Sequence, residues 1–220
     1  MPTQVLSDSN VRRLASDTIA LPADVTPPGP KAGILNTALR LFAERGYAGA
    51  SIRDIASTTG LKPASIYAHY ASKEQMLAQL ITLGHEEHLQ YVQQALAKSE
   101  SAAQCQLRAW VEGHVRFHAE FPMLAMLVNH ELHALSAEQV APALKLREQA
   151  TTLMMDIICR GQAEGTFSSG FDSWLAGAAI GAMGIRVAHW YSENHENSID
   201  EIVSNYQGFA CRIVGLMDKA

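Results

Sequence analysis

A short segment of this 220-residue chain carries four side chains that can donate hydrogen bonds, placed together on a helix predicted to begin at Pro63. Leu61, Ile66 and Tyr70 are expected to face the core. The four outward donors are Lys62, Ser65, Tyr67 and His69. So many donors on one short helix suit phosphate oxygens and base edges better than a merely solvated surface.

The nine histidines suggest a second chemistry, the binding of a divalent metal ion. Three pairs have helical spacing: His85 and His88, His114 and His118, and His130 and His133. Two imidazoles can chelate an ion, but a site needs a third or fourth ligand. Because no cysteine or carboxylate cluster lies near these pairs in the sequence, we predict no metal site and no cofactor, and treat the imidazoles as exposed or pocket-lining.

The sequence lacks the patterns that catalysis requires. It contains no nucleophile elbow, no phosphate-binding loop, no redox Cys-x-x-Cys and no Ser-His-Asp order. Histidine-rich helices without a positioned nucleophile do not form an active site. We therefore predict that the protein is not an enzyme.

The donor-bearing helix must be held by a second helix, and the preceding residues predict one. Ser51 can cap a helix whose apolar face includes Ile52 and Ile55, and Gly60 can adopt the left-handed conformation that ends it. Two short helices joined by a glycine turn have the layout of a helix-turn-helix, whose second helix enters the major groove of DNA. The same pattern also occurs in ordinary helical bundles.

Charge is distributed unevenly along the chain. The formal net charge is −5, yet residues 31–80 contain six basic and three acidic residues, so this segment carries +3 and the remainder −8. A basic module on an acidic body suits oriented binding to nucleic acid.

Composition also restricts where the protein works. Although 48% of the residues are hydrophobic, no apolar run reaches the roughly 18 residues of a membrane span. The first residues do not resemble a secretory signal, and the three cysteines fall in apolar helical contexts typical of reduced core residues. We expect a cytoplasmic protein with no membrane partner.

Helical periodicity and turn signals divide the chain into three parts. We expect residues 1–30, which end in a proline-rich stretch, to form a disordered arm, in which Arg12 and Arg13 either reach DNA or lie idle. Residues 31–78 are predicted to form the helix-turn-helix domain and residues 79–220 a helical body. The fold class is all-α, with about nine helices. The predicted body helices are 102–119, 123–135, 138–164, 172–192 and 198–217, after a fourth helix that continues to about Ala97.

The segment from Ile34 to Leu80 resembles the DNA-binding domain of the TetR family of bacterial transcriptional regulators. The matching stretches are Ala38–Tyr47, Ser51–Ala56, Gly60-Leu61, Ser65–Tyr70 and Ser72–Leu77. The resemblance implies a DNA-binding role for eight residues at matching positions: Ser51, Arg53, Pro63, Ala64, Ser65, Tyr67, His69 and Lys73. It also implies a double-stranded operator, a small-molecule effector and a homodimer.

The body is predicted to enclose a pocket for that effector, because apolar and methionine side chains recur on helices that also carry a few polar groups. The predicted ligand-binding residues are Trp110, His114, Phe117, Leu127, His130, Glu131, Arg147, Met154, Ile158, Met183, Arg186 and Trp190. Ordinary core packing is the alternative for each apolar residue among them.

Three features of the body resemble a TetR subgroup that senses acyl-CoA thioesters in lipid or steroid catabolism. They are Arg147, the stretch 161–167 and His189-Trp-Tyr191. The subgroup often has arginine where this chain has His189. Family counterparts of the last two helices build a dimer interface; an intramolecular core is the alternative.

We therefore predict a ligand-responsive, DNA-binding transcriptional regulator. It is expected to act as a repressor that a small hydrophobic effector, such as an acyl-CoA thioester, releases from a palindromic operator. The alternative is a small-molecule binding protein that has lost its DNA function.

Overall fold

Residues 21–216 are the part of the chain that the computed structural model describes, and within it the secondary structure is entirely helical. The nine α-helices are α1 (Pro30–Gly49), α2 (Ile52–Thr59), α3 (Pro63–Tyr67), α4 (Lys73–Lys98), α5 (Ala103–Glu120), α6 (Pro122–His130), α7 (Ala137–Ala163), α8 (Ser173–Trp190) and α9 (Ile199–Ile213). A short 3-10 helix, Leu132–Ala134, follows α6. The predicted all-α class is confirmed.

Local sequence signals determine where the helices begin. The Ser51 hydroxyl accepts a hydrogen bond from the backbone N–H of Asp54, whose carboxylate accepts one from the backbone N–H of Ser51 in return, forming a capping box. Ser198 forms the same motif at the start of α9, and Ser72 caps α4. Pro122 opens α6, where its missing N–H costs nothing.

Gly60 ends a helix as the sequence predicted, and Gly46 kinks another. Gly60 closes α2 in the left-handed conformation, with φ 70° and ψ 16°. Gly46 has φ 73° and ψ 159°, so the long helix α1 is kinked there and its last three residues run in a new direction. Residues other than glycine rarely adopt such φ values.

The residues just before α1 differ from the prediction of a disordered arm. Leu21 and Pro22 are buried, and the Thr26 backbone N–H donates a hydrogen bond to the Pro22 carbonyl at 3.1 Å. Leu21 joins the core formed by the first helices. Residues 1–20, including Arg12 and Arg13, lie outside the described part of the chain.

Two main hydrophobic cores divide the described residues. The first contains buried residues of α1, α2, α3 and the first half of α4, but it also includes Met123, Leu124, Leu127 and Val128 of α6. The second joins the end of α4 to α5, α7, α8 and α9. Helices α1 to α3 and the first half of α4 form an N-terminal module. Helix α6 packs with this module, although it lies far away in the sequence.

The small residues of α8 allow it to pack closely on α5 and α7. A Cβ atom added at Gly184 would overlap the ring of His114, and one at Gly177 would lie 2.9 Å from the Met155 sulfur. These glycines therefore pack against other helices of the same chain. For the face of α8 that carries them, this supports an intramolecular core and not a dimer interface. The cysteines differ from the prediction of core residues, because only Cys211 is buried, whereas Cys159 is exposed.

Candidate DNA-binding and effector sites

Helices α2 and α3 are held in place by their buried apolar residues. Ile55, Ala56, Ile66 and Tyr70 are at most 1% exposed, whereas Leu61, which we predicted to face the core, is 39% exposed. Leu61 follows the glycine turn and precedes α3, so the periodicity of neither helix determines its direction.

Most of the predicted DNA-binding residues lie on the open side of this helix pair. Tyr67 is the most prominent, with 55% of its surface exposed. The other exposed positions are Ser51, Arg53, Pro63 and Ala64, and the half-buried ones are Ser65, His69 and Lys73. The Ser51 hydroxyl is already engaged in the capping box of α2.

Lys73 has a structural role in addition to the predicted phosphate contact. Its ammonium group donates hydrogen bonds to the carbonyls of Tyr47 and Ala50, at 2.8 and 2.9 Å, and lies 4.1 Å from the centroid of the Tyr47 ring. It thereby holds the chain between α1 and α2. An ammonium group has three N–H donors, so one remains for a phosphate.

A cavity of about 380 Å³ lies between α4, α5, α7 and α8, with α6 at one end. Its inner wall consists of buried residues of α5, and exposed Arg147 and Trp174 lie at its rim. Arg147 is the only formally charged residue on the wall, which carries no aspartate or glutamate among the described residues. The cavity therefore combines apolar surface with a single positive charge.

Five of the twelve predicted ligand-binding residues line this cavity: Trp110, His114, Phe117, Arg147 and Met154. Trp110 is fixed by its indole N–H, which donates a hydrogen bond to the Ala150 carbonyl at 3.1 Å. Helical periodicity identified these residues because they share the inward faces of α5 and α7.

The other seven predicted ligand-binding residues do not line the cavity: Leu127, His130, Glu131, Ile158, Met183, Arg186 and Trp190. Leu127 and Ile158 are buried in the two cores, and Met183 and Trp190 pack against the second core. His130 and Arg186 are exposed. Each lies on a helix that contributes to the cavity or adjoins it, but on a different face.

Glu131 is engaged with the N-terminal module. Its Oε1 accepts a hydrogen bond from the backbone N–H of Tyr47 at 3.1 Å. A second such bridge is formed by Glu74 of α4, whose Oε1 accepts the Ser136 backbone N–H at 2.8 Å and whose pKa is thereby lowered. Both contacts join the DNA-binding module to the segment around the 3-10 helix.

Four of the histidines that were predicted to be exposed or pocket-lining lie on the cavity wall. His85 and His88 of α4 and His118 of α5 line it together with His114. The spacing within each helix placed each pair on one face, but a single sequence does not show that the two faces meet.

Burial keeps these imidazoles neutral. Desolvation lowers the pKa of His114 to about 4, and desolvation with a contribution from Arg147 lowers that of His85 to about 4. Desolvation also lowers the pKa of His88 and His118 well below its ordinary value. At neutral pH the nitrogen lone pairs are therefore available.

Helices α8 and α9 present an apolar surface to solvent. Trp174 and Leu175 are 66% and 62% exposed, and Phe209 on the adjoining helix is 44% exposed. Ala178, Ala179 and Ala182 extend this surface along α8. No helix within residues 21–216 has the length and apolar character needed to cross a membrane.

Two family profiles match this chain. The family described as "Bacterial regulatory proteins, tetR family" matches residues 34–80, and "Tetracyclin repressor-like, C-terminal domain" matches residues 100–214. The first covers the helix-turn-helix, and the second covers the helices that form most of the cavity wall.

Individual relatives agree with these matches. The HTH-type transcriptional repressor KstR2 of Rhodococcus jostii strain RHA1 is 26% identical over 188 residues, which are 84% of this chain and 92% of that protein. The crystal structure of a TetR-family regulatory protein from Rhodococcus RHA1 is 31% identical, has a TM-score of 0.79, and covers 85% of this chain and 97% of that one.

A third relative shares the fold at lower identity. AibR, solved in complex with isovaleryl coenzyme A and operator DNA, has a TM-score of 0.72 at 19% identity, with 84% of this chain and 97% of that one covered. The profile matches and the similar regulator from Rhodococcus RHA1 show that this chain belongs to the TetR family of transcriptional regulators.

Proposed function

We propose that the protein is a homodimeric repressor that binds a palindromic operator and leaves it when a small, hydrophobic, anionic effector enters the cavity. The observation that carries this proposal is that α6 and its C-cap residue Glu131 reach both the cavity and the DNA-binding module. Val128 and Asn129 line the cavity, and Glu131, two residues further on, holds Tyr47 of the DNA-binding module.

The DNA-binding surface supports the first part of the proposal. Tyr67 is exposed on α3 and Arg53 is exposed on α2. The segment 31–80 that contains them has a net charge of +3, whereas the rest of the chain is net negative. In a dimer, two such helices enter successive major grooves roughly 34 Å apart. Binding of this kind depends on phosphate contacts as well as on base contacts.

The cavity wall defines the chemistry of the effector. Trp110, Phe117 and Met154 offer apolar contacts, and Arg147 at the rim offers a guanidinium group to an anion. An acyl-CoA thioester fits an apolar cavity with a positive charge at its rim, because its acyl chain can lie in the cavity and its phosphates outside. The ligand named for AibR, isovaleryl coenzyme A, supports the same class.

The apolar surface of α8 and α9 supports the dimer. Trp174, Leu175 and Phe209 are large apolar side chains that would otherwise stay in water, and such patches mark interaction surfaces. Ala179, which is exposed further along α8 and does not line the cavity, is small enough to let the helices of two chains approach closely.

Helix α6 and the first half of α4 would transmit the signal. An effector that displaces Val128 or Asn129 changes the position of Glu131 and thus of the junction between α1 and α2. A coupling free energy of about 1–3 kcal/mol between the two sites lowers operator affinity roughly 5- to 150-fold.

Selection from a random duplex DNA library tests the DNA-binding part directly. We expect enrichment of an inverted repeat whose half-site centres are about one helical turn apart, or a multiple of it. Failure to enrich any sequence would favour a small-molecule binding protein without a DNA function.

The selected duplex then serves to test the effector. Isovaleryl-CoA and longer acyl-CoA thioesters are added to the labelled complex, with free coenzyme A and the free acids as controls. We expect release by a thioester class, and a loss of that response in Arg147→Ala without a loss of DNA affinity. Lys145→Ala is the matched control, because Lys145 is exposed on the same helix but does not line the cavity.

A further inference from the structure

Three imidazoles from two helices converge on one point of the cavity wall. One ring nitrogen from each of His88, His114 and His118 can be chosen so that all three atoms lie within 4.8 Å of one another. We propose that these histidines form a binding site for a divalent transition metal ion, Zn²⁺ being the ion that they fit best.

The spacing of the nitrogens suits a metal ion. With Zn–N bonds of about 2.0–2.1 Å, two nitrogens of a tetrahedral site lie roughly 3.4 Å apart. The Nε2 of His88 and the Nδ1 of His114 are 2.8 Å apart, and no separation within the cluster exceeds 4.8 Å. Small rotations of the rings therefore bring the three atoms to the required distances.

The outer nitrogens of two histidines already have the partners that metal ligands use. The Nδ1 of His118 lies 2.7 Å from the His114 carbonyl, and the Nε2 of His114 lies 3.0 Å from the Gly181 carbonyl. A carbonyl only accepts, so each of these nitrogens carries the hydrogen and the lone pair is on the other nitrogen. In His114 this is Nδ1, which faces His88, and in His118 it is Nε2, which lies 3.4 Å from the Asn129 side-chain nitrogen and gives up that contact when it binds a metal. Metal-bound histidines are commonly oriented by hydrogen bonds of this kind.

Metal binding to His88 requires the hydrogen on its Nε2 to move to the other ring nitrogen. The Nε2 of His88 faces the His114 lone pair at 2.8 Å, so it carries the hydrogen when no metal is bound. Metal binding places this proton on Nδ1 of His88 and directs the Nε2 lone pair to the ion. The imidazole stays neutral, and its total number of protons is unchanged.

The donor set selects the class of ion. Three neutral imidazoles without a carboxylate suit Zn²⁺, Ni²⁺ or Cu²⁺ and not Mg²⁺ or Ca²⁺, which prefer oxygen ligands. Three protein ligands leave one position of a tetrahedral ion open. All three histidines line the cavity, so we expect the open position to face it. Because Arg147 is the only formal charge on the wall, the open position suits an anion.

His85 is a fourth imidazole of the cavity wall, beside the three proposed ligands in the same lining. Its Nε2 is buried and has no hydrogen-bond partner among the described residues. We expect it to hold a water molecule or anion on the open side of the metal.

The metal site does not depend on the proposed repressor function. Metal binding is measured on the protein alone, without DNA or effector, so a failure of either proposal is separable from the other.

The first experiment uses the wild-type chain after treatment with a chelator and its removal. Isothermal titration with Zn²⁺ is expected to give one ion per chain, and a large excess of Mg²⁺ is expected not to compete. X-ray absorption on the loaded protein should show three imidazole nitrogens at about 2.0–2.1 Å. A spectrum with fewer than three imidazoles would overturn the proposal, whatever the affinity.

Variants then locate the site. His118→Gln should weaken Zn²⁺ binding at least about tenfold. The matched control is His130→Gln combined with His133→Gln, which removes an exposed histidine pair outside the cavity and should leave binding unchanged. Loss of binding in this control would show a surface site and overturn the proposal. If His118→Gln does not fold, the absorption spectrum of the wild-type protein decides.

Discussion

The carboxylate of Glu131 accepts a hydrogen bond from the backbone amide of Tyr47 at 3.1 Å, although 84 residues separate the two in the chain. Tyr47 directly follows Gly46, where α1 changes direction. The end of α6 thus fixes the junction that orients α2 and α3. Because Val128 and Asn129 of α6 also line the cavity, this bond links the cavity wall to that junction.

Replacing Glu131 by alanine should show how much this hydrogen bond contributes to the free energy of unfolding. The Tyr47 N–H loses its acceptor, so we expect a loss of about 1 kcal/mol in unfolding free energy, or roughly 2–4 °C in melting temperature. Hydrogen exchange at the Tyr47 amide should accelerate. Glu131→Gln retains an acceptor oxygen and should stay close to the wild-type protein in both measurements; equal damage in both variants would mean that the bond is not the cause.

Glu131 also shows what a single sequence does not reveal. It was predicted to lie within a helix over residues 123–135 and to be a polar group of the effector pocket, whereas α6 ends at His130 and Glu131 caps it. The actual partner lies in the N-terminal module, because α6 packs against α1 and α4. That contact depends on tertiary packing, which periodicity within α6 does not encode.

The parts that could be predicted are those that local chemistry determines. Ser51, Gly60 and Pro63 mark the helix-turn-helix through capping and backbone preferences that act over a few residues. The histidines of α4 and α5 were recognised as two separate pairs for the same reason. Their meeting in the cavity requires two helices to pack at one register, which becomes visible only in three dimensions.

The exposed ring of Tyr67 should matter for DNA binding and not for folding. We expect Tyr67→Ala to weaken operator binding at least about tenfold, equivalent to 1.4 kcal/mol, while the melting temperature stays unchanged. Tyr67→Phe separates the contribution of the hydroxyl from that of the ring. The measurement is fluorescence anisotropy with the selected duplex, and unchanged affinity in Tyr67→Ala would refute the proposed orientation of α3.

The same assay should show a steep dependence on salt. Each phosphate neutralised by a basic side chain contributes about −0.9 to the slope of log affinity against log salt concentration. Removing one phosphate contact therefore reduces the slope by about one. The proposed dimer loses two such contacts in Arg53→Ala, so we expect its slope to be less steep by about two. A slope near zero in the wild-type protein would exclude phosphate contacts as a source of affinity.

Two glycines of α8 offer a matched pair for testing how closely α8 packs on His114. A Cβ at Gly184 would overlap the His114 ring, whereas one at Gly181 would have no atom within 4 Å. We expect Gly184→Ala to destabilise the protein by about 1–3 kcal/mol, as overpacking does, despite the better helix propensity of alanine. Gly181→Ala should be neutral or slightly stabilising in the same urea titration. Similar stability of the two variants would show that His114 can move away at little cost.

If the apolar surface on α8 and α9 forms the dimer interface, a charged side chain introduced there should separate the two chains. Leu175 is 62% exposed on this surface, and a glutamate there would carry an unpaired charge into the proposed dimer interface, which is costly. We expect Leu175→Glu to sediment as a monomer and to bind the palindromic duplex far more weakly, because the two modules no longer bind together. Leu144→Glu is the control, since Leu144 is a large apolar residue that is 46% exposed but belongs to a different helix, α7. A dimer that persists in Leu175→Glu but dissociates in Leu144→Glu would place the interface on α7 instead.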